Sequence, residues 1–287
     1  VIDIELPPII KFERPSGGSE AIKEAAKLLS NADFPVILSG AGVVLADAIN
    51  DCKALAEKLD SPVASGYQHN DSFPGSHPLA VGPLGYNGSK AAMELISKAD
   101  VVLALGTRLN PFSTLPGYGI DYWPKDAAII QVDINSDRIG LTKKVSVGIC
   151  GDAKQVAQQL LNSLSPEAGN KNRDERKALI HQTKSAWLQT LSSMDHEDDD
   201  PGTSWNEEAR VRDADRMSPR MAWRAIQNGL PKNAIISSDI GNNCAIGNAY
   251  PTFEEGRKYL APGLFGPCGY GFPSVLGAKI GLSLIHI

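Results

Sequence analysis

Two rhythms of apolar positions alternate along residues 19–164. Pro35–Ser39, Pro62–Ser65, Val101–Leu105, Ala128–Val132 and Ser146–Cys150 are short, nearly continuous apolar runs, which suit strands buried on both faces. Between them the spacing changes to three or four. Ile22, Ala25, Ala26 and Leu29 share one helical face, as do Ile49, Cys52, Leu55, Ala56 and Leu59. Helices are therefore predicted over Glu20–Leu29 and Ala46–Leu59, with others over Ser89–Lys98 and Ala153–Leu164, the last capped by Asp152. Residues 66–88 and 106–124 are long, rich in Gly and Pro, and read as functional loops. Strand and helix in alternation predict an α/β fold, a doubly wound parallel sheet.

The rhythm breaks after Leu164. Residues 1–17, with Pro7, Pro8 and Pro15, read as an extended connector, and 18–165 as a central Rossmann-like domain. Residues 166–217 read as an inter-domain linker, with a polar helix over Arg173–Leu191, the solvated acidic run Glu197–Asp200, and Pro201-Gly202. Ser218-Pro219 then restarts regular structure as N-cap and first helical residue. That helix runs to about Asn228, and Ala234–Ser238 is the first strand of a second α/β unit spanning 218–287. The chain opens on Val1 and closes on the uncapped apolar run Leu282–Ile287, so it is read as an internal fragment with a truncated second unit.

Composition narrows the class. The 287 residues are 42% hydrophobic and 21% charged, as in globular proteins, with a formal net charge of -5. That charge offers no basic field for a phosphate backbone, so nucleic acid is not an expected partner. The four cysteines are scattered without a CxxC pair, which argues for reduced thiols rather than disulfides or zinc. No apolar run approaches the roughly 18 residues of a membrane span, and no signal peptide is read, so a cytoplasmic location without membrane attachment is expected.

Several motifs have a plain reading. Gly40-Ala41-Gly42 lies between a strand and a helix like a dinucleotide fingerprint, but the third glycine is missing. No acid follows the strand ending near Ser65, and Asp60 precedes it. A tight turn is the better reading. His69, Asp71 and His77 share a loop without clear metal spacing, Gly151-Asp152 is a helix entry, and nothing near Cys244 or Cys268 marks a nucleophile. The stronger signal comes late. Asp239-Ile240-Gly241-Asn242-Asn243 turns the chain directly after a strand, where Asn side chains and backbone N–H groups suit an anion. Gly266-Pro267-Cys268-Gly269-Tyr270-Gly271-Phe272-Pro273 then crowds glycines around one small side chain before an apolar helix.

These two motifs resemble the start of the diphosphate-binding domain of thiamine-diphosphate-dependent enzymes. Residues 19–164 are similar to their central domain, through Pro35–Gly42, His77–Leu79, Ala99–Arg108 and Gln131–Ile134. The loops 66–88 and 109–123 most resemble the sulfoacetaldehyde acetyltransferases within that family. The resemblance implies thiamine diphosphate and Mg2+ as cofactors. It places Ile240, Gly241, Asn242 and Asn243 at the diphosphate, Cys268 as an apolar wedge under the bent cofactor in place of the usual Met, and Gly266 and Gly269 beside it. The Gly266 carbonyl would accept from the aminopyrimidine amine. It also implies that the catalytic Glu and the Gly-Asp-Gly metal motif belong to the parent outside these residues. No catalytic residue or metal ligand is therefore expected within them, and the fragment alone is expected neither to bind cofactor tightly nor to turn over.

The implied reaction converts sulfoacetaldehyde and phosphate to acetyl phosphate and sulfite. Its partners are small anionic substrates, with Arg108, Lys143 and Arg220 as possible anion contacts, and a second copy of the parent in a homo-oligomer. Alternatives are an acetolactate-synthase-like or decarboxylating enzyme, a non-catalytic module holding FAD or ADP on the central sheet, and, more weakly, an NAD dehydrogenase.

Overall fold

Six strands lie parallel in one sheet: β1 (Pro35–Ser39), β2 (Val63–Ser65), β3 (Ala80–Pro83), β4 (Val101–Leu105), β5 (Ala128–Asp133) and β6 (Val147–Cys150). Their order is β3-β2-β1-β4-β5-β6. The structure, a computed structural model, describes residues 13–195, 217, 219–263 and 265–282. Most of the expected connector, the acidic run 197–200, Pro201-Gly202, the Ser218 cap and the tail beyond 282 lie outside the described residues.

Every residue of β1 and β4 is buried, because helices cover both faces of a parallel sheet. Ile37 stands opposite Val63 on one side and Leu103 on the other, and all three are at most 1% exposed. Helices α1 (Ser19–Asn31), α3 (Ile49–Leu59) and α6 (Ala153–Ser163) pack together, and α4 (Lys90–Ile96) packs on α7 (Arg173–Asp195). The expected α/β class and doubly wound sheet are what the chain forms. The strand order reverses between β1 and β4, so their C-terminal ends open a crevice where such sheets bind ligands.

Four local expectations are corrected. The helix expected over Ala46–Leu59 is two: α2 (Ala41–Leu45) starts directly at the turn, and α3 follows. The break falls at Asp47, which adopts a left-handed φ of 57°, and Ala48 N donates to Val43 O to turn the chain. Loop 66–88 contains β3, and loop 106–124 contains a helical turn, α5 (Pro111–Thr114). The first strand of the second unit, β7, covers only Ile236–Ser237 and pairs in parallel with β8 (Tyr259–Leu260). That unit also holds α8 (Pro219–Gly229), α9 (Asn242–Gly247) and α10 (Gly271–Gly281).

Helix α7 is fastened to the sheet domain through Arg176, whose side chain is fully buried. Its Nε donates to Asp60 O, Nη1 to Asp33 O and Lys171 O, and Nη2 to Leu59 O and Gly169 O, at 2.6–3.0 Å. All five guanidinium N–H groups are thus used, two of them on carbonyls at the C-terminal end of α3, which have no partner within their own helix. Asp60 closes that helix in a left-handed conformation, and its carboxylate pairs with Arg173 and Lys177.

Candidate functional site

The two glycine-rich motifs of the second unit are tied together by a carboxylate. Asp239, just after β7, accepts from Ile240 N at 2.8 Å and from Gly271 N at 3.2 Å. Gly269 N donates to both of its oxygens, at 3.1 and 3.0 Å. Chiefly through the Ile240 N–H, these donors hold the acid below its ordinary carboxylate pKa. Ile240 also abuts Gly266: a Cβ added there would lie 3.0 Å from Ile240 Cδ1. Gly266, at φ 61°, has the left-handed backbone that this close approach requires.

Gly241 lies at φ 104° and opens α9, whose N-terminus carries no side-chain cap. Gly241, Asn242, Asn243, Cys268 and Gly269 are all exposed. The exposed turn itself, Gly241–Asn243, offers amides and no carboxylate, while Asp239 is turned onto backbone donors. This donor set suits an anion such as a diphosphate, and Gly241, Asn242 and Asn243 could hold one. Among the described residues no group of three His, Cys, Asp or Glu is placed to hold a metal ion.

The face of α9 away from that turn docks on the loop after β2. Cys244 is buried and accepts from Gln68 Nε2 at 2.7 Å. Asn248 Oδ1 accepts from Gln68 N at 3.1 Å, and its Nδ2 donates to Tyr86 O at 3.3 Å. Asn70 Nδ2 reaches Asn248 O and Pro251 O, both at 2.9 Å. Asp71 Oδ2 accepts from Lys258 N and Tyr259 N at the edge of β8, so its carboxylate is a backbone cap, and burial raises its pKa. Gly75 N and Ser76 continue the contact with Phe253 O and Glu254. None of this docking was read from sequence, because an Asn- and Gln-containing loop carries no periodic signal.

The crevice between β1 and β4 is a second candidate, a cavity of about 520 Å3 lined by Gly42, His69, Thr107, Arg108, Arg138 and Asp152. The glycines of Gly40-Ala41-Gly42 serve packing here. A Cβ on Gly40 would come within 2.5 Å of Thr107 Cβ, and one on Gly42 within 2.6 Å of Gly106 Cα. Gly42 N donates to Gly106 O at 2.8 Å, so this turn is closed against its neighbour. His69 faces Arg108, and burial, reinforced by that cation, lowers its pKa to about 4.

The other candidates separate. His69 lies in the crevice, Asp71 caps β8, and His77 Nε2 contacts Glu57 Oε1 at 3.2 Å, so the three share no metal-binding geometry. The possible anion contacts also have different partners: Lys143 stands over the Trp123 ring at 5.0 Å and Arg220 donates to Tyr250 OH, while Arg108 lines the crevice.

With the fold and the paired motifs in place, comparison with known proteins gives the class. Residues 22–160 match the family described as "Thiamine pyrophosphate enzyme, central domain", and that stretch of the chain is a domain of this family. Over 281 residues it is 79% identical to "Probable sulfoacetaldehyde acetyltransferase" of Rhizobium meliloti (strain 1021), covering 98% of this chain and 48% of that relative. It is 77% identical to "Sulfoacetaldehyde acetyltransferase" of Roseovarius nubinhibens, covering 98% and 47%. A "Probable acetolactate synthase large subunit" of Methanocaldococcus jannaschii is 33% identical, over 97% of this chain and 46% of that protein. The chain therefore spans about half the length of the curated relatives it matches.

Proposed function

We propose that this chain is part of an acyltransferase that uses thiamine diphosphate to convert sulfoacetaldehyde and phosphate to acetyl phosphate and sulfite. The observation that carries the reading is the 79% identity to a relative of that name, against 33% to the acetolactate-synthase relative. The Asp239 tie supports it, because it joins the two segments that such a cofactor would have to span. When bound, the cofactor supplies an electron sink, which lets a carbon–sulfur bond break without a free carbanion. The reaction balances without an external oxidant: the aldehyde carbon is oxidised to the acyl level, the adjacent carbon is reduced to methyl, and sulfite leaves with the bond pair.

In this reading Gly241, Asn242 and Asn243 bind the diphosphate, with Ile240 beneath them. Gly266, Cys268 and Gly269 shape the ring side. The reading extends to Mg2+ as a second cofactor of the complete protein, to phosphate as acyl acceptor, to a homo-oligomer and to a cytoplasmic location. Among the described residues no helix is long and apolar enough to cross a membrane.

The test is an assay of the complete gene product. Sulfite and acetyl phosphate should appear in equal amounts from sulfoacetaldehyde, only with both phosphate and thiamine diphosphate. Acetolactate from pyruvate with no sulfite release would replace this reading with the acetolactate-synthase one. A second reading rests on the crevice, where Arg108 and Arg138 suit a nucleotide phosphate at the point where strand order reverses. Adenine nucleotide or flavin released on denaturing the purified protein would support it.

A further inference from the structure

Gln68 contacts two segments of the second unit at once, sharing Cys244 Sγ with Tyr67 OH, which lies 3.7 Å from the sulfur. Gln68 is 3% exposed and holds a left-handed φ of 62°, a conformation costly for a residue with a Cβ. Its Oε1 accepts from Gly263 N at 3.0 Å, and its Nε2 donates to Cys244 Sγ at 2.7 Å. Because a backbone N–H only donates, the amide oxygen must face Gly263, which directs the NH2 to the sulfur. One planar amide therefore bridges two segments of the second unit. Cys244 is in α9, one residue past the Gly241–Asn243 turn, and Gly263 is three residues before Gly266. The bridge is itself fixed: Gln68 N donates to Asn248 Oδ1, and the neighbouring Tyr67 stacks on Phe112 with ring centroids 5.5 Å apart.

We propose that Gln68 is a positioning residue for the cofactor, a rigid spacer in the sheet domain that sets the separation between the Gly241–Asn243 turn and the Gly266–Gly269 segment. The proposal rests on the cofactor reading above and adds to it. Thiamine diphosphate has an anionic end and a ring end a fixed covalent reach apart. A protein that grips both must hold its two gripping segments at a matching distance, and small displacements there cost reactivity out of proportion to affinity. Asp239 links the same segments from the exposed side, and Gln68 does so from the buried side.

The experiment uses the complete gene product with Gln68→Met, which keeps the volume and removes both hydrogen bonds, and with Gln68→Ala. The readout is the hydrogen–deuterium exchange rate of the thiazolium C2 proton at saturating thiamine diphosphate, followed by NMR after quenching. Ser76→Ala is the reference, because it breaks another hydrogen bond of the same interface, to Glu254 at 2.7 Å, away from both segments. Exchange should slow by roughly tenfold or more in the Gln68 variants and stay at the wild-type rate in Ser76→Ala. Wild-type exchange in Gln68→Met, or equal slowing in Ser76→Ala, would overturn the proposal while leaving the cofactor reading intact. A wild-type protein that neither binds thiamine diphosphate nor accelerates C2 exchange would overturn both. If Gln68→Ala does not fold, Gln68→Met alone decides.

Discussion

The Asp239 carboxylate accepts the Gly269 backbone N–H on both of its oxygens, at 3.1 and 3.0 Å. Thirty residues of chain are closed into a loop at that point, and the exposed Cys268 is carried beside it. Because the acid is held below its ordinary pKa, the tie is present above the usual carboxylate range and is lost as pH falls through the depressed value. Thiamine diphosphate affinity of the complete gene product should therefore be flat, as far as this group is concerned, from neutral pH down to the ordinary carboxylate range, and weaken only below it. Asp239→Asn, which has one acceptor oxygen instead of two, should lower affinity by roughly tenfold at pH 7, as read by calorimetry.

His69 provides a pH effect of the same sign through a different route. Its pKa, lowered to about 4 by burial and Arg108, lies below the ordinary 6.5 of an unfolded chain. As pH falls between those values the unfolded state takes up a proton that the native state refuses. Stability should decline across that window, and His69→Gln should flatten the decline. Urea denaturation at a series of pH values checks this, and a chemical-shift titration with an inflection near 6.5 would contradict it.

Glycines at two positions should respond to different degrees. A Cβ on Gly42 meets the Gly106 backbone, which has no side chain to move aside, so Gly42→Ala should cost about 1–3 kcal/mol. Gly18 has φ -83° and nothing within 4 Å of an added Cβ, so Gly18→Ala, at the N-cap of α1, should cost no more than about 1 kcal/mol. Denaturant midpoints of the two variants settle the contrast.

Thiol labelling reports on the candidate site without any assay of turnover. Cys150 and Cys268 are exposed, whereas Cys52 and Cys244 are buried, and burial pushes the Cys52 thiol up to about 12. Two thiols should react in the native protein and all four after denaturation. In the complete gene product, added thiamine diphosphate should slow modification of Cys268 and leave Cys150 unchanged, as followed by peptide mass spectrometry.

The sheet was legible wherever a strand is a continuous apolar run, as at Val101–Leu105, because two covered faces leave no polar alternation to interpret. Strand β3 was not legible: Gly82 and Pro83 break its run, and its pairing with β2 shifts register between Val63 and Ala64. The α2 start at Ala41 was hidden as well, since it depends on Gly42 meeting the distant Gly106 backbone. In the candidate site the two glycine turns announced themselves by composition. The residues that join them did not. Asp239 and Gln68 act through contacts made only once the chain has folded, and neither residue type distinguishes such a role from a solvated surface.

Arg176 bears on how such chains can be recombined. Its guanidinium satisfies carbonyls of Asp33, Leu59 and Asp60 in the sheet domain and of Gly169 and Lys171 in the segment leading into its own helix. A chimaera cut at residue 165 would leave those three acceptors facing whatever helix the donor supplied. The natural exchange cassette therefore extends through α7, and a graft between relatives inherits its fit only if the helix travels with the sheet it clasps.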